Sequence, residues 1–298
     1  MKSMKKLIVI VGPTAVGKTA LAIRLAQFLQ TEIISADSRQ IYRELEIGTA
    51  KPSPAELQQV KHHFINTHSI TDDYDAGAYG RDALALIHSL FQHHNHLILC
   101  GGSGLYVKAV LEGFDEMPPV PEGMREAIIA EYETHGLAWL QTQVKEVDPD
   151  YFDVVDSQNP HRLIRALELY RAWQKPMHEL RKQKKLEHPF QIVKIGLEVE
   201  REELYNRIDT RMDAMIAEGL FEEAEKFYPF RHLNALQTVG YREIFGLMDG
   251  LYDKEEAIRL LKRNSRHYAK RQLTWFKKDM DTKWFRPDQF DEIIAHLE

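Results

Sequence analysis

An α/β fold, with a parallel sheet flanked by helices, a helical insertion and a helical C-terminal region, follows from three observations on this 298-residue sequence. The apolar run Lys6–Val11 passes through a glycine-rich turn straight into an amphipathic helical pattern. Short apolar strands then alternate with helical segments through the first third, as in sheets covered on both faces. A break at Met117-Pro118-Pro119-Val120-Pro121 precedes a long helical stretch rich in aromatics and charge, after which β character returns.

The first unit is the most specific. Gly12-Pro13-Thr14-Ala15-Val16-Gly17-Lys18-Thr19 fits G-x-x-x-x-G-K-[ST], and the helix that follows, Thr19 to Leu29, places Leu21, Ala22, Leu25, Ala26 and Leu29 at helical spacing. Loop N–H groups and the helix dipole suit a polyphosphate, Lys18 adds a full positive charge, and the Thr19 hydroxyl is placed for a magnesium ion. The core is therefore a P-loop core, expected to bind a diphosphate or triphosphate.

A second strand, Glu32–Ser35, runs into Ala36-Asp37-Ser38, and a further strand is expected around Phe64-Ile65-Asn66. Ala76 to Phe91 reads as helix, and Leu97–Cys100 as a buried strand opening into Gly101-Gly102-Ser103-Gly104. Ligands of such sheets sit beyond the carboxyl ends of the strands, so the loops at 12–19, 37–40 and 101–104 should converge. The Pro118–Pro121 segment reads as a stiff connector. Beyond it, Glu122 to Lys185 is helical, with starts at Asp148-Pro149 and Asn159-Pro160. Phe190–Val199 is strand-like, and Lys283-Trp284-Phe285 reads as a last short strand. Residues 1–115 and 190–298 are thus expected to form the catalytic core, with 116–189 inserted as a helical domain.

Composition narrows the class. At 44% hydrophobic and 28% charged the chain is an ordinary globular protein, and its formal charge of −6 does not by itself suggest nucleic acid. A single cysteine, Cys100, excludes an internal disulfide framework and a cysteine-based zinc site, which fits a reducing cytoplasm. The apolar run Leu7–Val11 is too short for a secretory signal, and no stretch reaches membrane-spanning length. The fourteen histidines show no zinc-motif spacing.

Several residues invite chemistry. Asp37, at a strand end facing the phosphate loop, can hold magnesium through water, bind a hydroxyl or act as a general base; it can equally cap a turn or helix. Glycines in the 101–104 loop admit close backbone approach, and Ser103 adds a donor, although a tight strand-to-helix connection needs the same residues. The acidic residue by which many P-loop ATPases hold magnesium is missing after Leu97–Cys100, which disfavours motor-type ATP hydrolysis. Arg207 and Arg211 share a helix face and can clamp a leaving diphosphate, or else pair with Glu203 and Asp209. Eight Lys or Arg residues and no acid lie between Arg259 and Lys278, interleaved with Tyr268, Trp275 and Phe276; six more fall between Arg171 and Lys185 against Glu179. Two such runs lean towards RNA, where phosphates supply affinity and bases stack on rings.

These blocks together resemble one family. Gly12–Thr19, Ser35-Ala36-Asp37-Ser38-Arg39-Gln40-Ile41-Tyr42, Ile47-Gly48-Thr49-Ala50-Lys51-Pro52, Gly101–Tyr106, Asn159–Glu168, Val239-Gly240-Tyr241-Arg242 and Lys270–Trp275 are similar, in order, to motifs of the bacterial tRNA dimethylallyltransferases, or tRNA isopentenyltransferases. The resemblance implies transfer of a dimethylallyl group from dimethylallyl diphosphate to the exocyclic amine of the adenosine 3′ of the tRNA anticodon. It also implies that the phosphate loop, Gly12, Pro13, Thr14, Ala15, Val16, Gly17, Lys18 and Thr19, grips the prenyl diphosphate with Mg2+ held at Thr19. Asp37 would be the base, with Arg211 and Ser103 the further catalytic residues and Lys18, Thr19 and Thr14 donors to the leaving diphosphate. Asp37, Ser38, Arg39, Gln40 and Ser103 would read an adenine extruded from its stack. Arg125, His161, Arg162, Leu163, Ile164 and Arg165 of the insertion, with Gln237, Thr238, Val239, Gly240, Tyr241 and Arg242, would grip the anticodon stem-loop, the insertion closing over RNA on the Pro118–Pro121 hinge.

Departures are small. Ser103 stands where many relatives carry threonine, Val16 occupies a variable loop position, and the chain ends at Glu298 without the zinc-finger extension of eukaryotic relatives, which leads one to expect a bacterial-type, metal-poor form; a single chain wrapping one stem-loop makes a monomer the simplest expectation. The alternatives are a P-loop small-molecule or nucleotide kinase, which would transfer a terminal phosphoryl group, and a non-catalytic RNA-binding module indifferent to loss of Asp37.

Overall fold

Lys6–Val11 (β1) is apolar after its first residue because both faces of the strand are covered, as in parallel sheets. In the computed structural model, which describes residues 4–114, 117–180 and 186–297, it is followed by α1 (Lys18–Leu29), β2 (Ile33–Ser35), α2 (Pro54–Gln59), β3 (His62–His63), α3 (Ala76–Leu90), β4 (His96–Cys100) and α4 (Gly104–Leu111). A helical stretch holds α5 (Met124–Val147), α6 (Pro149–Val154), α7 (Pro160–Trp173) and α8 (Met177–Leu180). The chain continues through β5 (Gln191–Leu197), α9 (Arg201–Ala217), α10 (Leu220–Phe227), α11 (Arg242–Met248), α12 (Lys254–Phe276), β6 (Lys283–Phe285) and α13 (Phe290–Leu297).

The strands form one parallel sheet in the order β3-β2-β4-β1-β5-β6. Alternation along β1 feeds two layers. Leu7, Val9 and Val11 pack with Tyr79, Ala83 and Ile87 of α3 and with Tyr106 and Val110 of α4. Ile8 and Ile10 pack with Leu21, Ala22 and Leu25 of α1 and with Leu204 and Ile208 of α9. Each fully buried aliphatic side chain contributes roughly 1.5–3 kcal/mol, so these layers hold the sheet far more than its two- and three-residue edge strands do. From β1 the chain moves to β2, returns through β4 and later crosses to β5 on the other side. That reversal opens a crevice at the carboxyl ends of β1 and β4.

The strand expected at Phe64–Asn66 is not formed. The strand there is His62–His63, and Phe64 and Asn66 take left-handed φ values of 60° and 58°, which cannot continue a ladder. Phe64 is apolar because its ring packs edge-on against Tyr79, centroids 5.1 Å apart. The Asn66 N–H donates to Gln40 O and the His68 N–H to Ile41 O, so this segment braces the loop after β2.

Residues up to Glu112 with those from Glu187 make one compact unit, and Gly113–Leu186 makes a second. The second is helical, with a core of Ile128, Leu140, Val144, Leu163, Ile164 and Leu167. Gly136, at φ 79° and ψ −177°, divides α5 into two helical segments. The starts read at Asp148-Pro149 and Asn159-Pro160 are real caps: Asp148 accepts from the Tyr151 N–H and Asn159 from the Arg162 N–H. Met117 and Val120 pack on this core, and Trp173 Nε1 donates to Pro119 O at 2.9 Å. Residues 115 and 116, and Arg181, Lys182, Lys184 and Lys185 of the second basic run, lie outside the described residues.

Candidate active site

The loop after β1 has the backbone its glycines require. Gly12 sits at φ 147°, and a Cβ there would stand 2.7 Å from Leu197 O. Gly17 caps α1 at φ 108°. Ala15 also lies in the left-handed region, at φ 64°, a cost of about 1–3 kcal/mol that recurs at ligand clamps. The Val16 side chain is fully buried, so that residue offers its backbone. Lys18 Nζ folds back to donate to Gly12 O (3.0 Å) and Pro13 O (2.7 Å). Burial lowers its pKa to about 8, a shift that the Asp37 carboxylate opposes and Arg211 reinforces. Burial likewise pushes the Cys100 thiol up to about 12, so it stays neutral.

Asp37 is both a turn residue and a cavity residue. Its Oδ1 accepts from the Arg39 N–H (2.9 Å) and the Gln40 N–H (3.3 Å), while Oδ2 has no hydrogen-bond partner among the described residues. Ser103 closes this turn from the other side: its Oγ accepts from the Ser38 N–H at 2.9 Å and donates to Ser38 Oγ at 3.1 Å. Its hydroxyl is therefore spent on the Asp37–Gln40 turn, and Ser103 is not among the residues lining the cavity, unlike the direct donor the sequence suggested. Gln40 Nε2 donates to Thr49 O and Ala50 O, locking its amide.

The three loops do converge, and α9 and α12 complete the enclosure. A cavity of about 380 Å³ is lined by Thr14, Ala15 and Gly17–Thr19, by Asp37, Arg39 and Gln40, by Cys100 and Gly101, and by Thr238–Gly240. Its other walls are Gly48–Ala50, the Ile208, Arg211, Met212 and Met215 face of α9, and Ser265, Tyr268 and Gln272 of α12. Desolvation lowers the pKa of Arg211, while the facing Asp37 holds its charge. The space thus brings together loop N–H donors, the cations Lys18 and Arg211, an apolar stretch of α9 and two carboxylates, Asp37 and Glu56. A broader depression of about 740 Å³ runs along α9, lined by Glu200, Glu203 and Arg207 and sharing Arg211. It lacks the loop donors, so the chemistry centres on the smaller space.

The arginine pair separates. Arg211 enters the cavity, but Arg207 donates to Glu203 (2.6 Å) and to Val16 O (3.2 Å), which braces the phosphate loop from outside and leaves no clamp of two guanidiniums. Half of the basic run on α12 and the two residues after it is neutralised: Arg259 pairs with Glu256, Lys262 with Asp213, Arg266 with Asp209 and Lys277 with Glu198. Arg263, Lys270, Arg271 and Lys278 form no ion pair among the described residues. In the helical unit His161 and Arg162 are exposed, and Arg125 and Arg165 both reach Glu168 at 3.1 Å. Leu163 and Ile164 are core residues there, so their side chains offer no surface to RNA and serve to place their neighbours. Gln237 and Arg242 are exposed, Thr238, Val239 and Gly240 line the cavity, and Tyr241 is fully buried.

Sequence reasoning missed the far wall. Ile208, Met212 and Met215 look like helix core, and Tyr268 like one more aromatic. A signal did exist on α12: its buried stripe, Ala257, Leu261, Ser265, Ala269, Gln272 and Phe276, carries two polar residues where apolar ones belong. Both line the cavity.

The same arrangement has relatives. A family model described as IPP transferase matches residues 40–279. The tRNA dimethylallyltransferase of Cytophaga hutchinsonii is 52% identical over 294 residues, covering 99% of this chain and 97% of that protein. The tRNA dimethylallyltransferase 1 of Bacteroides fragilis is 47% identical, with 99% and 98% covered. Among solved structures, the full-length tRNA isopentenylpyrophosphate transferase of Bacillus halodurans superposes with a TM-score of 0.71 at 38% identity, covering 98% of this chain and 94% of that one.

Proposed function

This chain belongs to the IPP transferase family, and we propose that it moves the dimethylallyl group of dimethylallyl diphosphate onto the exocyclic amine of the adenosine 3′ of the anticodon in tRNA, releasing diphosphate. One observation carries the reading: a phosphate-loop cradle and the apolar wall of Ile208, Met212 and Met215 share a cavity with an aspartate. An amphiphilic diphosphate ester fits such a space, its charged end on the loop and its five carbons on the wall.

The chemistry follows from those positions. The adenine amine is a weak nucleophile because its lone pair is delocalised into the ring. As nitrogen bonds to the first carbon of the dimethylallyl group, the carbon–oxygen bond breaks and its electron pair leaves with the diphosphate. Asp37 Oδ2 takes the proton released from nitrogen. Negative charge grows on the leaving group, where loop N–H groups from Ala15 to Thr19, Lys18 and Arg211 lower the barrier. Thr19 lines the cavity as a hard oxygen donor, which suits magnesium held largely by phosphate oxygens and water. Bound there, magnesium would neutralise diphosphate charge. Ser103 is a positioning residue that fixes Ser38 and, through the turn, Asp37.

Arg39 and Gln40 of the cavity wall, with Ser38 of the same turn behind them, would hold the extruded adenine. Arg125, His161, Arg162 and Arg165, the 237–242 turn and the unpaired cations of α12 would meet the anticodon stem-loop. A cytoplasmic monomer is part of the same reading. Among the described residues no helix is long and apolar enough to cross a membrane.

The test incubates the protein and magnesium with unmodified tRNA and dimethylallyl diphosphate, beside a tube containing ATP instead. Mass spectrometry of the digested RNA should show an adenosine heavier by one five-carbon unit in the first tube alone. ATP consumption without that gain would return the kinase reading.

A further inference from the structure

Gln272 joins two loops of the site at their narrowest point. Its Oε1 accepts from the Thr14 N–H at 2.8 Å, and its Nε2 donates to Gly102 O at 2.9 Å. The residue is 6% exposed, yet it lines the cavity. A Cβ placed on Gly102 would stand 2.4 Å from Gln272 Nε2 and 3.6 Å from Lys18 Nζ, so the carboxamide and the ammonium group both approach that glycine. Glycine at 102 is what admits it.

The position matters for phosphate counting. Pro13 has no N–H, so Thr14 is the first donor beyond it in the loop, and the donors of the helix N-terminus lie at the other end. In loops of this kind the N–H groups cradle the inner phosphates and the lysine reaches the outer ones. The outermost phosphoryl group of a longer chain would therefore seek the region between Lys18 Nζ and the Thr14 N–H. Here a carboxamide already holds that N–H. On its other side the carboxamide holds the Gly102 carbonyl, whose oxygen repels an anion.

We propose that Gln272 is a specificity-determining residue that closes the outer end of the phosphate track, so that the site accepts a diphosphate and rejects a triphosphate. This rests on the diphosphate reading above and deepens it: family membership names the substrate, whereas Gln272 accounts for how a loop shared with nucleotide-binding proteins is kept from triphosphates.

Calorimetric titration of the full chain with magnesium diphosphate and magnesium tripolyphosphate tests it. Wild-type protein should prefer diphosphate by about tenfold or more, the worth of one hydrogen bond to a charged group. In Gln272→Ala the freed Thr14 N–H should bring the two affinities within about threefold of each other. Gln272→Asn, whose carboxamide is one methylene shorter and cannot span both loops, should fall between and keeps the test open if the alanine variant does not fold. Equal affinities in wild type, or a ratio unmoved in a folded variant, would overturn the inference while leaving diphosphate binding standing. Failure of wild type to bind diphosphate would refute the diphosphate reading and this inference with it.

Discussion

The Tyr241 hydroxyl donates to Glu223 Oε1 across 2.6 Å, and the same buried carboxylate accepts the N–H groups of Glu46, Ile47 and Gly48. One side chain of α10 thereby ties the 46–50 turn to the 237–242 turn, two segments that line the cavity. The fit is close, since a Cβ on Gly48 would stand 2.5 Å from Tyr241 Cζ. Burial, with the carboxylate beside it, raises the Tyr241 pKa far above its ordinary value, so the hydroxyl remains a donor.

Loss of this tie should be costly. Glu223→Ala leaves three backbone donors and a phenol without their acceptor, and a destabilisation of about 3–5 kcal/mol is expected from chemical denaturation. Tyr241→Phe removes one bond and should cost about 1–2 kcal/mol. Equal midpoints for wild type and Glu223→Ala would show that the turn holds itself.

The sheet was legible because its strands announce themselves: β1 and β4 are short apolar runs, each opening into glycine. Asp148-Pro149 and Asn159-Pro160 were legible as caps for an equally local reason. Phe64 misled because an apolar residue in a left-handed turn and one in a strand look alike in sequence. Half of the site followed from local motifs, the loop at 12–19 and the turn at 37–40. Arg211, the 48–50 turn and the 238–240 turn followed from the family resemblance, and Met212 and Tyr268 from neither, because they come to the loop only through packing of α9 and α12. Arg207 shares a face with Arg211, yet one turn of helix separates the cavity from its rim.

Lys18 gives the site a pH dependence. With its pKa lowered by burial to about 8 from 10.5, the unfolded chain holds a proton between those values that the ligand-free folded protein does not. Stability from this group therefore rises with pH across that window. A bound diphosphate ester favours the ammonium form, so binding takes up a proton above pH 8, and affinity for dimethylallyl diphosphate should fall by up to about tenfold per pH unit there. Calorimetry at pH 9 in two buffers of different ionisation enthalpy should register the uptake; identical heats would contradict it.

Arg211→Ala should slow the chemical step by the loss of leaving-group stabilisation, about 2–4 kcal/mol if it acts as other oxyanion donors do. Arg207→Ala, on the rim, should slow it far less. Single-turnover rates that rank the two in the opposite order would reassign the roles.

Arg165→Ala should weaken tRNA binding and make its salt dependence shallower by about one counterion. Arg125 remains to pair with Glu168, which keeps the helical unit intact. An unaltered slope of log affinity against log salt would remove Arg165 from the phosphate contacts.

The most direct test of the chemistry is a rapid-quench single turnover by Asp37→Ala beside wild type, with tRNA affinity measured on both proteins. If Asp37 takes the proton, transfer should slow by about a hundredfold to ten-thousandfold while tRNA binds nearly as before. A single-turnover rate equal to that of wild type would contradict the assignment of the base.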